Sequence, residues 1–340
     1  MRSFAAALVL AALLVPATGL VPAQAEQKAP EWFAWGMAWF SDRTEDSHTQ
    51  GDSTWTSDES STFLVKRCRF GVNGQAGEKW FYHFCAATEL TPKLMQAWLE
   101  YRYCPALRAK VGQFKHGFGR EGYAPCPQWK FTNLSYVVDK LGSSHIDGGS
   151  SLRDQGLMVY GTLKPSGLAI DYSAAMLNGS GINKADTDGK KDFAGHLGVE
   201  LPAGVRAGGT FYTGEDGTTE LGRSGFGVDA GFAKDKIWVL GEYLVGTLEQ
   251  ADGADDLKKA GYHVGATYRV MKMVEVGARY DAYDPNTDSD DDGISRITIG
   301  AGYYFAGLNR ASLNVELPSA ESEDIDPGTT MILQLQGFLK

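Results

Sequence analysis

The sequence predicts an all-β protein: a transmembrane antiparallel β-barrel of about sixteen strands, with a long third loop folded into its lumen. Three observations predict it. Period-two alternation recurs almost everywhere after Glu31. The links between alternating segments are by turns short and long. No segment approaches the roughly 18–20 consecutive apolar residues of a spanning helix, although 42 Gly, 15 Tyr, 16 Phe and 8 Trp among 340 residues suit a wall of tilted strands.

The chain opens with MRSFAAALVLAALLVPATGLVPAQA. An early Arg2, an apolar stretch and the small-x-small site Ala23-Gln24-Ala25 mark residues 1–25 as a secretory signal peptide. Residues 26–340 are expected to form the barrel. Strands are expected near 31–41, 63–73, 79–89, 94–104, 106–115, 154–163, 167–177, 193–201, 204–213, 224–234, 236–246, 260–270, 272–283, 294–305, 309–317 and 330–339. Each has about the length that a tilted strand needs to cross a bilayer.

The links carry the better signal. GQAGE, Lys164-Pro165-Ser166, Pro202-Ala203, Lys234-Asp235, Met271 and Ala306-Gly307-Leu308 are short. SDRTEDSHTQGDSTWTSDESST, NGSGINKADTDGKKD, TGEDGTTELGRS, GTLEQADGADDLKK, DPNTDSDDDGIS and PSAESEDIDPGTT are long and polar. Outer-membrane barrels keep short periplasmic turns and longer outer loops, and an even strand count returns both ends to the periplasm. The faces agree. Tyr262, Val264, Ala266 and Tyr268 oppose His263, Gly265, Thr267 and Arg269, and the next two predicted strands repeat the pattern. A charge on the lipid face costs about 2–4 kcal/mol at mid-membrane, so the polar face must line the lumen.

Between the fifth and sixth predicted strands lies the long third loop, 116–153, which opens within VGQFKHGFGREGYAP. A phosphate loop is excluded there, because no Lys-Ser or Lys-Thr follows the glycines. Unstructured loops of this length are usually functional. A sixteen-stranded barrel is wide enough to hold one inside and still leave an aqueous path. On this reading Lys115 and Arg120 sit near the constriction.

Formal net charge is −10, but much of the negative charge belongs to the outer loops, such as Asp288 to Asp292 and Glu321 to Asp326. Salt screens those groups from the pore waist. Asp288, Asp290 and Asp292 match half of a calcium-binding loop, but Ile299 stands where the bidentate Glu belongs, so a solvated acidic loop is the stronger reading. Cys68 is expected to face lipid and Cys85 the lumen. A disulfide from Cys126 to Cys104 or to Cys85 is a candidate tether for the long loop in an oxidising compartment. Six scattered His, with neither G-x-S-x-G nor H-E-x-x-H, point away from an enzyme. No cofactor and no nucleic-acid partner are expected.

Four stretches, VGQFKHGFGREGY, CRFGVNGQAGEKWFYHF, LRDQGLMVYGTL and MLNGSGINKADTDGKKDFAGHLGVEL, resemble the phosphate-selective porin family (porins O and P) over about residues 60–200. The resemblance implies a homotrimeric outer-membrane porin with an anion-selecting pore. Carried over by position, Arg67, Arg69, Lys115 and Arg120 are pore cations, and Arg102, Arg108 and Lys110 share the same inferred lumen face. The chain departs from the family in length, in turning Glu100, Glu121, Glu242 and Glu275 toward the lumen, and in ending Gly337-Phe338-Leu339-Lys340. The expected function is a passive, water-filled channel for small hydrophilic solutes. It prefers anions, phosphate among them, and sits in the outer membrane of a Gram-negative bacterium after export through the general secretory pathway. Its surroundings would be lipopolysaccharide and outer-membrane lipid. The competing expectation is a barrel scaffold that sheathes a partner protein, against which a large internal loop argues.

Overall fold

The computed structural model describes residues 28–339 apart from 51–52, 90, 117, 143–151, 187 and 217–218, so the leader lies outside the described residues. In chain order the strands are β1 (Glu31–Arg43), β2 (Asp46–Gln50), β3 (Ser53–Ser57), β4 (Ser60–Ala76), β5 (Trp80–Ala87), β6 (Lys93–Cys104), β7 (Leu107–Lys115), β8 (Arg153–Leu163), β9 (Ala169–Leu177) and β10 (Asp192–Glu200). They continue as β11 (Val205–Glu215), β12 (Gly222–Lys234), β13 (Ile237–Leu248), β14 (Leu257–Met271), β15 (Val274–Asp284), β16 (Ile294–Ala306), β17 (Asn309–Ala320), β18 (Ile325–Asp326) and β19 (Thr330–Leu339). Sixteen of them, all but β2, β3 and β18, form one closed antiparallel barrel in which β1 seals against β19. Each predicted strand falls on one wall strand. Closure leaves no strand edge unpaired, which is the condition for β-structure in hydrocarbon.

The wall is built inside out. On β14, Tyr262 and Val264 are 45 % and 50 % exposed on the outside, while His263 and Thr267 are 2 % and 6 % exposed within. The same alternation places Arg279 and Asp281 of β15, and Arg296 and Thr298 of β16, in the interior. Their neighbours Val276, Tyr280, Ile297 and Ile299 face out.

Three departures from the simple pattern matter. The first long loop is not irregular throughout: β2, β3 and β18 form a small sheet that joins it to the last loop. A bulge in β4 opposite Met37 and Ala38 inserts Lys66 between Arg67 and Val65, and Lys66 lies 4.7 Å over the lumenal Trp39 ring. Bulges break the strict two-residue period, so counting parity passes over Lys66.

The third departure concerns β7. Its pairing with β6 ends at Ala97 and Gln113, whereas its pairing with β8 runs on to Lys115 and Arg153. Gly112 between them has φ +124, and a methyl there would meet the Ala97 carbonyl at 2.2 Å. Only glycine suits that conformation and that approach. Above it the β7–β8 ribbon leaves β6, and Gln113 fills the gap, donating to Leu94 O and Asn183 Oδ1 at 2.9 Å each. Both faces of the ribbon then look into the barrel. Phe114 joins a buried cluster with Phe118, Val137, Val138, Leu141, Tyr212 and Leu244, while Lys115 and Arg153, paired across β7 and β8, line the central cavity.

Candidate functional site: the loop-lined pore

The described residues of the third loop, 116 and 118–142, lie inside the barrel and are fixed to the far wall strand by strand. A short helical turn, α1 (Arg120–Tyr123), starts it. The first N–H groups of a helix have no partner of their own. Here the Glu242 carboxylate on β13 accepts both, from Arg120 N and, at 2.7 Å, from Glu121 N. His263 Nε2 lies 2.9 Å from the same carboxylate.

Glu121 is the next fastening. Ser135 N and Oγ donate to it at 2.9 and 2.7 Å, and Arg279 Nη1 at 2.9 Å. Burial pushes the Glu121 carboxyl up, but Arg279, His263 and the Ser135 hydrogen bonds hold it below the ordinary carboxylate value. Burial, with Lys115, Arg153 and Arg223 nearby, pushes His116 at the root of the loop down to about 3.

Further along, Arg296 donates to Leu134 O at 2.7 Å and bridges Asp281 and Glu316 at 3.2 and 3.1 Å. Tyr136 N donates to Asp281. Thr132 donates to Asn314 of β17, Lys130 to Glu275 of β15, and Gln336 of β19 to Pro127 O. The lumenal carboxylates of β13 to β17 are thus each engaged by a cation or by loop N–H groups, as buried charges must be.

The other side of the lumen is different. Among the described residues, Arg67, Arg108, Lys110, Lys115 and Arg120 form no ion pair with a carboxylate; all but Arg120 lie against aromatic rings. Arg67 sits 4.9 Å and Lys115 6.0 Å from Trp129, Lys110 4.8 Å from Tyr160, and Arg108 6.0 Å from Tyr160. Lys115 also donates to Ala124 O.

A cavity of about 880 Å³ lies between the loop, β1 and β4 to β8 on one side and the short-turn ends of β10 to β13 on the other. Seven cationic side chains line it: Arg69, Lys110, Lys115, Arg120, Lys130, Arg153 and Arg206. Only two carboxylates do, Glu121 and Glu200. Low-dielectric walls focus the field of such a cluster along the aqueous path.

The seven cations singled out in the sequence divide accordingly. Arg69, Lys110, Lys115 and Arg120 meet in this cavity. Arg69 is also paired with Glu89 and lies over Trp35. Arg67 stands against Trp129 on the loop. Arg102 and Arg108 face each other near the short-turn end of β6 and β7, and Arg102 is paired with Glu100 at 2.7 Å. Sequence reading passed over Arg153, Lys130 and Arg206. Arg153 is found once β7 and β8 are seen to leave the wall, and Arg206 by extending the parity count to β11.

The expected cysteine tether is not formed. All four cysteines are free thiols, with Cys104 across from Leu107 at the short-turn rim and Cys126 on the loop near Met37 and Trp39. Ion pairs and backbone hydrogen bonds hold the loop instead. The acidic outer loop gathers no metal site: Asp288 pairs with Lys258, and no cluster of three candidate ligands occurs among the described residues.

A closed sixteen-stranded barrel whose long loop narrows its own lumen defines an outer-membrane channel. Residues 96–324 match the family model of the Gram-negative porins, and the chain belongs to that family. Family and fold together indicate a channel in the outer membrane rather than an enzyme. No curated protein matches the chain in sequence. Among solved structures it is similar to an anion-selective porin from Comamonas acidovorans, at 12 % identity and TM-score 0.64, over 92 % of this chain and 100 % of that one. It is also similar to the outer-membrane channel DcaP of Acinetobacter baumannii, at 12 % identity and TM-score 0.63, over 91 % and 97 %. Salmonella typhi OmpF, solved with daunomycin, aligns at 10 % identity and TM-score 0.63, over 92 % and 100 %.

Proposed function

We propose that the protein is a passive, anion-preferring diffusion channel for small hydrophilic solutes. The observation that carries this is the set of cavity-lining cations without a carboxylate partner among the described residues, Lys110, Lys115 and Arg120, since Arg69, Lys130 and Arg206 are ion-paired with Glu89, Glu275 and Asp171 with Asp229. A cationic lining favours anion passage. The net charge of −10 does not oppose it, because the lumenal carboxylates near the loop are engaged in holding that loop, and most others lie on outer loops in salt water. The resemblance to porins O and P is consistent with this and makes phosphate one of the anions admitted. We further propose that residues 1–25 are removed on export, that the barrel assembles as a homotrimer among lipopolysaccharide and lipid, and that Lys110, Lys115 and Arg120 are the principal pore cations.

Swelling of liposomes containing the purified protein tests the reading. Anionic solutes should enter faster than cationic solutes of equal size, and equal or reversed rates would overturn it.

A further inference from the structure

We propose that the loop-side cavity is a binding station for aryl carboxylates, flat aromatic rings that carry one anionic group; this rests on the anion-preferring reading above. The cavity is unusual in how its cations and rings are interleaved. Phe33 of β1, His83 of β5 and Trp98 of β6 form a continuous stack, with centroids 5.6 and 5.1 Å apart and planes tilted by only 13° and 17°.

The strand between β1 and β5 allows this because it carries Gly71 there. A methyl on Gly71 would sit 2.5 Å from the Phe33 ring, so glycine lets that ring lie across β4 and reach His83. The result is a column of three stacked rings along the pore wall that borders the cavity with ring edges. At its end Lys110 Nζ stands 5.7 Å from the Trp98 ring. On the facing loop, Trp129 carries Lys115 Nζ at 6.0 Å.

Each candidate anion uses this lining differently. A bare inorganic anion meets the cations and none of the rings. A sugar phosphate meets the cations and the amides of Asn73, Gln96 and Gln128, but leaves the ring column unused. An aryl carboxylate uses both features, its ring packed edge-to-face against the ring column and its carboxylate at Lys110 or Lys115. A volume of about 880 Å³ accommodates it together with water, within the usual range for small-molecule sites.

The test is single-channel conductance in sodium benzoate and in sodium acetate, over a concentration series. Benzoate current should saturate with a half-saturating concentration about tenfold below that of acetate, the scale that an edge-to-face aromatic contact supplies. Trp98→Leu should move benzoate toward acetate, and Trp98→Phe should retain most of the difference. Phe33→Leu serves should Trp98→Leu fail to insert.

Identical concentration dependence for the two anions would overturn the proposal. So would saturation by phosphate or glucose 6-phosphate at lower concentration than by benzoate. Both results leave the anion preference standing. A cation-signed reversal potential in KCl would overturn that preference and this proposal with it.

Discussion

Glu242→Gln isolates the fastening at the start of the inward loop. The native carboxylate is 4 % exposed and accepts Arg120 N and Glu121 N, with His263 Nε2 beside it. Glutamine keeps the size but offers one acceptor oxygen, and its NH₂ group must face a donor. One buried N–H then loses its partner, at about 1–3 kcal/mol, and the remaining contact loses its charge assistance. The combined cost is about 2–5 kcal/mol, which raises the population of the locally open loop by roughly 30- to 5000-fold. Asn314, Glu275 and Gln336 still hold the later part of the loop, so opening is confined to the neighbourhood of α1. Single-channel recording should show added open-state noise and brief excursions to higher conductance. A variant that conducts with wild-type noise and conductance would refute the assignment of Glu242 as the anchor.

Four further outcomes follow from the same structure. Arg296→Met leaves Asp281 and Glu316 without the guanidinium that bridges them and should cost about 3–5 kcal/mol, read as a lower thermal midpoint in detergent. Ile299→Lys, on the lipid face, should cost about 2–4 kcal/mol in folding into vesicles, whereas an unchanged urea midpoint would place Ile299 away from lipid. Acid should loosen the loop. The Glu121 carboxyl is held below its ordinary 4.5, so its contribution is complete above that value and is lost as pH falls through the lower folded value. His116, lowered from 6.5 to about 3, acts in the same direction, because the opened loop binds its proton first between those values. Open-channel noise should therefore rise below pH 6.5 through His116 and further below pH 4.5 through Glu121, and noise that stays constant as pH falls below 4.5 would contradict the loop's ionic anchoring. The four free thiols should all alkylate in urea without reductant, and protection of any two would restore the disulfide tether.

The barrel was legible because its two signals are local. Alternation within β14 and the contrast between a link such as Lys234-Asp235 and a link such as DPNTDSDDDGIS are both read along the chain. Hidden features depend on partners far away in sequence. Glu242, Asp281 and Asn314 could be placed on the lumen side by parity, but nothing local shows that they bind residues 120 to 136, more than a hundred positions earlier. That distinction bears on the electrostatics, since Arg279, Arg296 and Lys130 compensate the carboxylates they pair with, whereas Lys110, Lys115 and Arg120 have no carboxylate partner among the described residues. Lys66 was hidden by a bulge, which shifts parity without leaving a mark in composition. Arg153 was hidden because the β7–β8 ribbon turns both faces inward beyond Gly112. The small sheet joining the first and last loops is built from Ser, Thr and Asp segments whose polarity reads as solvated loop.

The most direct measurement of the central claim is the reversal potential across a planar bilayer under a KCl gradient, for the native protein and for a Lys110→Glu/Lys115→Glu variant. The native channel should show the sign of chloride preference, and the variant should lose or invert it while still conducting. A cation-signed native potential, or an anion preference untouched by the two reversals, would contradict the claim that these lumenal cations select the solute.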